Sequence, residues 1–300
     1  MRCALKTIHA QDAAEVIGQH MMVKDHFSMV MDLEESYGPY IVDARKKDSK
    51  GQDIPLEKRR FLDFYTQFAS WPISYNHPGL KDEKYQAQLL KAAQMRIACS
   101  DIVTPEMATY VDIMHEVAIP KELGYLFLID GGGLAVENCL KAAFDWKIRK
   151  NFAKGVTLDT EAYTAVHLKE AFHGRTGYTM SLTNTDPKKV MFFPKFTSWP
   201  RIENPKITHP LSKKENLDAV QAAEDRSIAQ LLQAIEENPH GVAAIILETI
   251  QGEGGDNHFR PEYFKRLREV TEANDVLLIL DEVQAGAGLT GTFWAYEHTG

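Results

Sequence analysis

The apolar positions of this chain fall into two regimes. Up to about residue 80 they come in short clusters. Tyr40-Ile41-Val42-Asp43 and Phe61-Leu62-Asp63-Phe64-Tyr65 flank a charged stretch over residues 46–60. Such clusters predict strand pieces, and the charged stretch, ending on Lys58, Arg59 and Arg60, predicts an exposed loop. Residues 83–98, rich in Ala, Leu and Lys, predict a helix. Pro105 predicts the start of a second one reaching about Val117, since proline is tolerated at the first helical position. From residue 123 the pattern becomes strand, turn and helix in repetition. The apolar runs 123–129, 242–247 and 276–280 predict strands, residues 163–168 are a further strand candidate, and the segments 135–150 and 261–274 predict helices. Apolar strands separated by helices imply an α/β fold, a mostly parallel sheet covered on both faces, with ligands at the carboxyl ends of the strands. Residues 185–215 carry five prolines and predict a long irregular excursion.

Composition narrows the class of function. The 300 residues are 44% hydrophobic and 25% charged, ordinary for a globular chain able to bury a large core. A formal net charge of −8 argues against nucleic acid or an anionic membrane as a general partner. Cys3, Cys99 and Cys139 show no metal-ligand spacing and leave an odd thiol, which points to a reducing cytoplasm and to no metal site. The N-terminus has no secretory apolar segment, and no run approaches the about 18–20 apolar residues of a membrane span. Two parts are expected: an N-terminal segment over residues 1–80 and a larger domain over 81–300.

Four segments offer chemistry. Asp130-Gly131-Gly132-Gly133-Leu134-Ala135-Val136-Glu137 joins a predicted strand to a predicted helix, and exposed N–H groups at such a junction suit a phosphate. It lacks the Gly-x-Gly-x-x-Gly dinucleotide pattern, and a plain strand-to-helix turn explains it equally well. Leu280-Asp281-Glu282-Val283-Gln284 puts an acid at a strand's carboxyl end. A buried carboxylate needs a cation or a proton, and a protonated pyridine nitrogen would serve, although a turn aspartate is the blander reading. Ala171-Phe172-His173-Gly174-Arg175-Thr176-Gly177 supplies an aromatic that can stack on a flat ring and a guanidinium that can grip a carboxylate. Taken singly, these suit a core residue and a surface residue. Leu247-Glu248-Thr249-Ile250-Gln251-Gly252-Glu253-Gly254-Gly255 runs a strand into a glycine loop with two acids.

The order of these segments resembles the class-III, pyridoxal-phosphate-dependent aminotransferases of fold-type I. Leu62-Asp63-Phe64 with Tyr75-Asn76-His77-Pro78 resembles that family's N-terminal stretch. Glu248-x-x-Gln251-Gly252-Glu253-Gly254-Gly255 resembles its glycine-rich loop, with Thr249 where a proline is usual, and Asp281-Glu282-Val283-Gln284 matches its acidic strand end. Gly131-Gly132-Gly133-Leu134-Ala135-Val136-Glu137-Asn138, with Phe172-His173-Gly174-Arg175 and Ser181-Leu182-Thr183-Asn184-Thr185, resembles the branch that acts on the ε-amine of lysine.

That resemblance implies a fold-type I large domain, incomplete here, plus the N-terminal part of a small domain, and a homodimer. It also implies pyridoxal 5'-phosphate, with L-lysine and 2-oxoglutarate as substrates, or ornithine or 4-aminobutyrate in a neighbouring branch. Gly132 and Gly133 would bind the cofactor phosphate. Phe172 and Val283 would enclose the ring, with His173 beside them. Asp281 would pair with the pyridine nitrogen and Gln284 would reach the ring hydroxyl. Arg175 would hold the α-carboxylate of lysine, and Glu253 would be the gate that moves aside for 2-oxoglutarate. The family's Schiff-base lysine is expected beyond Gly300, since the last lysine here is Lys265 on a predicted helix. Truncation, or a non-catalytic relative, is the expectation that follows.

Overall fold

A computed structural model describes residues 7–21, 29–95, 97–99 and 101–300. The chain divides into two compact units, residues 1–110 and residues 111–300.

In the first unit the two apolar clusters pair as an antiparallel ribbon, β1 (Tyr40–Val42) against β2 (Arg60–Leu62), with Ile41 opposite Phe61. Asp63 closes the following turn. Its carboxylate accepts the N–H groups of Tyr65 (2.8 Å) and Thr66 (3.0 Å) and the Tyr75 hydroxyl (2.6 Å). A helix over Glu83–Gln94 starts where the Asp82 side chain accepts the Tyr85 N–H at 2.9 Å, an N-cap that satisfies one otherwise orphaned donor. The expected second helix is present over Pro105–Val117, a span that includes the division at residue 110. The charged stretch before β2 departs from expectation at Arg59, which is 6% exposed. It ends a short helix, Leu56–Arg59, and its guanidinium donates to the carbonyls of Ile54 and Asp43 and to Glu35. A fork with five donors can be buried when carbonyls and a carboxylate surround it.

The second unit is a four-stranded parallel sheet in the order β4-β3-β5-β6, formed by β3 (Thr164–Leu168), β4 (Arg201–Ile202), β5 (Val242–Glu248) and β6 (Leu277–Asp281). Alternate residues of each strand face opposite layers, as a strand's twofold period requires. Val166, Leu168, Ile245, Leu247, Leu278 and Leu280 meet Ile228, Leu231 and Ile235 of a helix over Lys214–Glu237, and Tyr263, Phe264 and Leu267 of a helix over Pro261–Ala273. Ala165, Ile246 and Ile279 meet Val136, Leu140 and Phe144 of the Gly132–Ala153 helix. Both faces are covered, and the fold is α/β as the apolar runs predict.

Three elements differ from the sequence expectation. The run 123–129 is not a strand: it makes no ladder, and Tyr125 and Phe127 are 98% and 69% exposed. An apolar run becomes a strand only where a sheet edge takes up its N–H and C=O groups, and hydropathy does not report an edge. The proline-rich stretch contains β4, a strand of two residues whose pairing is closed by His167 N–H to Pro200 O at 3.1 Å and Lys169 N–H to Ile202 O at 3.0 Å. The Lys214–Glu237 helix has no counterpart among the expected elements. Its face carries a buried Glu224, paired with Arg260 at 2.8 Å, which interrupts the apolar stripe.

No helix among the described residues is long and apolar enough to cross a membrane, and no group of His, Cys, Asp and Glu among them is placed to hold a metal ion.

Candidate active site

Because β3, β5 and β6 are parallel neighbours, their carboxyl ends open on one side of the sheet. Glu248 and Asp281, the last residues of β5 and β6, stand side by side in register. The chain leaving β3 lays residues 171–174 across them. Together they line a pocket with about 360 Å³ of empty space, part of it open to solvent, formed by Gly132, Gly133, Phe172, His173, Asp281 and Val283, with Gly174, Glu248, Ile250 and Gln284.

Asp281 is nearly inaccessible, and its carboxylate is held from two sides. His173 Nδ1 stands 2.7 Å from Oδ2, and the Val283 N–H donates to Oδ1 at 3.0 Å. With Nδ1 engaged, His173 Nε2 is buried and has no hydrogen-bond partner among the described residues. The segment carrying His173 is fixed on its far side by Thr183, whose Oγ1 accepts the His173 N–H at 3.0 Å and donates to Gly174 O at 2.6 Å.

The mouth of the pocket is the start of the Gly132–Ala153 helix. Gly131, at φ 88°, precedes it and has no side chain to cap it, and no side chain among the described residues accepts a first-turn N–H. Gly132 packs on Val283 so closely that a Cβ would stand 2.5 Å from its Cγ1. Gly174, at φ 113°, meets Gly133 backbone to backbone, where a Cβ would lie 2.8 Å from the Gly133 Cα. Glu137, one turn further along the helix, takes the Thr176 hydroxyl and the Tyr178 N–H, which ties the helix to the loop after His173. Gln284 lies against Gly252, where a Cβ would stand 2.3 Å from its Oε1.

Seven of the residues singled out in the sequence, Gly132, Gly133, Phe172, His173, Asp281, Val283 and Gln284, therefore converge on one pocket. Two do not line it. Arg175 is exposed, just past Gly174, and Glu253 is half-buried in an ion pair with Lys189. The Lys189 ammonium also lies 5.7 Å from the Phe172 ring centroid. In the sequence Glu248 stands out only as one of two acids where a strand runs into a glycine loop. It is 5% exposed, and burial pushes its carboxyl up to about 7 against the opposing pull of His173 and the Phe172 N–H. Its place directly after an uninterrupted apolar strand, like that of Asp281, was the available signal.

Chemically, the pocket offers uncapped backbone donors and a helix dipole at one end, which suit a phosphate. It also offers a buried carboxylate braced by a histidine, which suits a cationic nitrogen, and an aromatic residue, Phe172, in its lining.

Residues 35–300 match the family described as aminotransferase class-III. The chain is 45% identical over 286 residues to the L-lysine-epsilon aminotransferase of Mycobacterium tuberculosis (strain ATCC 25618 / H37Rv), covering 94% of this chain and 59% of that protein. To the L-lysine-epsilon aminotransferase of Streptomyces clavuligerus it is 41% identical, covering 98% of this chain and 61% of that protein. Among solved structures, lysine aminotransferase from M. tuberculosis in the internal aldimine form superposes with a TM-score of 0.86 at 43% identity, covering 97% of this chain and 63% of that one. The chain thus spans about three fifths of the length of these relatives.

Proposed function

The chain belongs to the class-III aminotransferases, and from that membership we propose that it supplies the cofactor pocket of an enzyme that moves the ε-amino group of L-lysine to 2-oxoglutarate. The products would be 2-aminoadipate 6-semialdehyde and glutamate. The observation that carries this reading is the convergence of an uncapped glycine helix start, Phe172 and a histidine-braced Asp281 on one pocket, in a chain that resembles enzymes named for lysine.

These residues fit pyridoxal 5'-phosphate. When bound, that group supplies an aldehyde to take up the amino group and a ring that draws electrons from the neighbouring carbon. In this proposal the N–H groups of Gly132 and Gly133 hold its phosphate, and the Cβ-free approach of Gly132 to Val283 leaves the helix end open to it. Asp281 keeps a proton on the ring nitrogen, and His173 Nδ1 orients the carboxylate to do so. Phe172 and Val283 enclose the ring and exclude water, and Gln284 reaches its hydroxyl oxygen. Arg175 selects donors that carry an α-carboxylate, because a guanidinium fork matches a carboxylate. Glu253, held here by Lys189, guards the place of the oxo acid. The exposed run 123–129 suits a homodimer, since apolar surface of this kind is ordinarily covered.

The test joins residues 1–300 to the C-terminal remainder of the M. tuberculosis relative and supplies cofactor and 2-oxoglutarate. Glutamate should form faster with L-lysine than with L-ornithine or 4-aminobutyrate. A preference for either of the latter would reject the lysine assignment and leave the family assignment standing.

A further inference from the structure

Glu248 is the buried pocket residue to which the roles above give no task. We infer that Glu248 is a positioning residue of this site: by accepting the Phe172 backbone N–H, its carboxyl fixes the Phe172 ring and the adjoining His173–Asp281 pair where they line the pocket. The inference rests on the pyridoxal-phosphate reading of that pocket.

The segment 171–174 is held residue by residue. Asn184 donates its N–H to Ala171 O at 2.8 Å, Thr183 takes the His173 N–H at 3.0 Å, and Thr183 donates to Gly174 O at 2.6 Å. These three contacts all come from residues 183 and 184. The Phe172 N–H instead reaches Glu248 Oε1 at 2.9 Å, and Glu248 is the register partner of Asp281. Glu248 is thus the anchor that ties the aromatic to the strand ends themselves. Without it, a part-buried donor loses its acceptor. A neutral acceptor of the same length performs this task, so glutamine should replace glutamate. Leucine, equal in bulk but without an acceptor, and aspartate, charged but one methylene short, should not.

The test uses the whole 300-residue chain and pyridoxine 5'-phosphate, which lacks the aldehyde and so does not react with surface lysines. Affinity is read by calorimetric titration, and ring placement by the near-ultraviolet circular dichroism of the bound ligand. Glu248→Gln should bind within a factor of about three of the parent with the same dichroism. Glu248→Leu should bind about tenfold or more weaker with altered dichroism, the consequence of an orphaned part-buried N–H. Glu248→Asp should behave like Glu248→Leu and decides the matter if the leucine variant does not fold. Parental affinity and dichroism in both Glu248→Leu and Glu248→Asp would overturn the inference, as would a loss in Glu248→Gln equal to theirs. No binding to the parent chain would overturn the pocket reading and this inference with it. Binding to the parent that is indifferent to residue 248 overturns the inference alone.

Discussion

At Asp281 two hydrogen bonds and near-complete burial hold one carboxylate in place, which makes charge and geometry separable by substitution. Asp281→Asn keeps an acceptor for one of those donors and removes the charge. It should weaken pyridoxine 5'-phosphate binding by about tenfold or more, because a charge-assisted bond to the ring nitrogen becomes a neutral one. Calorimetric titration checks this, and parental affinity would mean that Asp281 does not face the ring nitrogen. At Glu248 the separable quantity is a proton. Its carboxyl is raised from 4.5 to about 7 in the folded chain, chiefly by burial. A raised carboxylic pKa gives stability that is complete below the unfolded value, declines as pH rises toward about 7, and is flat above it. Glu248→Gln does not titrate. The parent should therefore lose stability relative to Glu248→Gln between about pH 4.5 and about pH 7, by something on the order of 2–3 kcal/mol. Urea unfolding of both proteins at about pH 5 and about pH 8 measures it, and an unchanged difference would place the Glu248 pKa near its ordinary value.

The Gly132–Ala153 helix shows how one element can be set by a neighbour rather than by its own propensity. In a free helix Gly132→Ala would stabilise by up to about 1 kcal/mol. Here the added Cβ would lie 2.5 Å from Val283 Cγ1 and 2.9 Å from Cγ2, and a β-branched neighbour has few rotamers in which to move away. Overpacking of that kind costs about 1–3 kcal/mol, so the clash should win and Gly132→Ala should destabilise the protein. The obstruction is a side chain and not backbone, so adding Val283→Ala should recover most of the loss. A double-mutant cycle by urea unfolding reads the coupling, and additive effects would mean that the helix start and the Asp281 strand end do not touch in solution.

For the whole molecule, the composition of the pocket sets an expectation that no single element does. None of its lining residues is a lysine, and Lys189, close to the Phe172 ring, is paired with Glu253. Residues 1–300 incubated with pyridoxal 5'-phosphate and then with borohydride should show scattered substoichiometric adducts. A single stoichiometric adduct, at Lys189 for instance, would contradict this. Tyr125 and Phe127, 98% and 69% exposed, should also make the chain self-associate. Sedimentation velocity should show concentration-dependent species, reduced in Tyr125→Glu with Phe127→Glu. Unchanged sedimentation in that variant would remove the run 123–129 from the interface.

The sequence by itself determined the layers and the chemistry types. Strands buried on both faces are apolar over most of their length, as β5 and β6 are up to their terminal acids and β3 is apart from Thr164 and His167; helices that cover a sheet must alternate with them, and the expected helices 135–150 and 261–274 do. The acid at 281 was legible from its place at the end of an apolar strand, and the glycines at 132 and 133 from their place at a helix start, although the strand expected before them does not form. Tertiary structure decided which residues meet. Whether 123–129 pairs depends on a free sheet edge, and whether Arg59 is buried depends on carbonyls brought to it from residues 43 and 54. That Glu248 is a pocket acid while Glu253 stands outside in an ion pair depends on the β5–β6 register and on where Lys189 lies. These are contacts between residues far apart in the chain, and neither local propensity nor hydrophobic period encodes such distances.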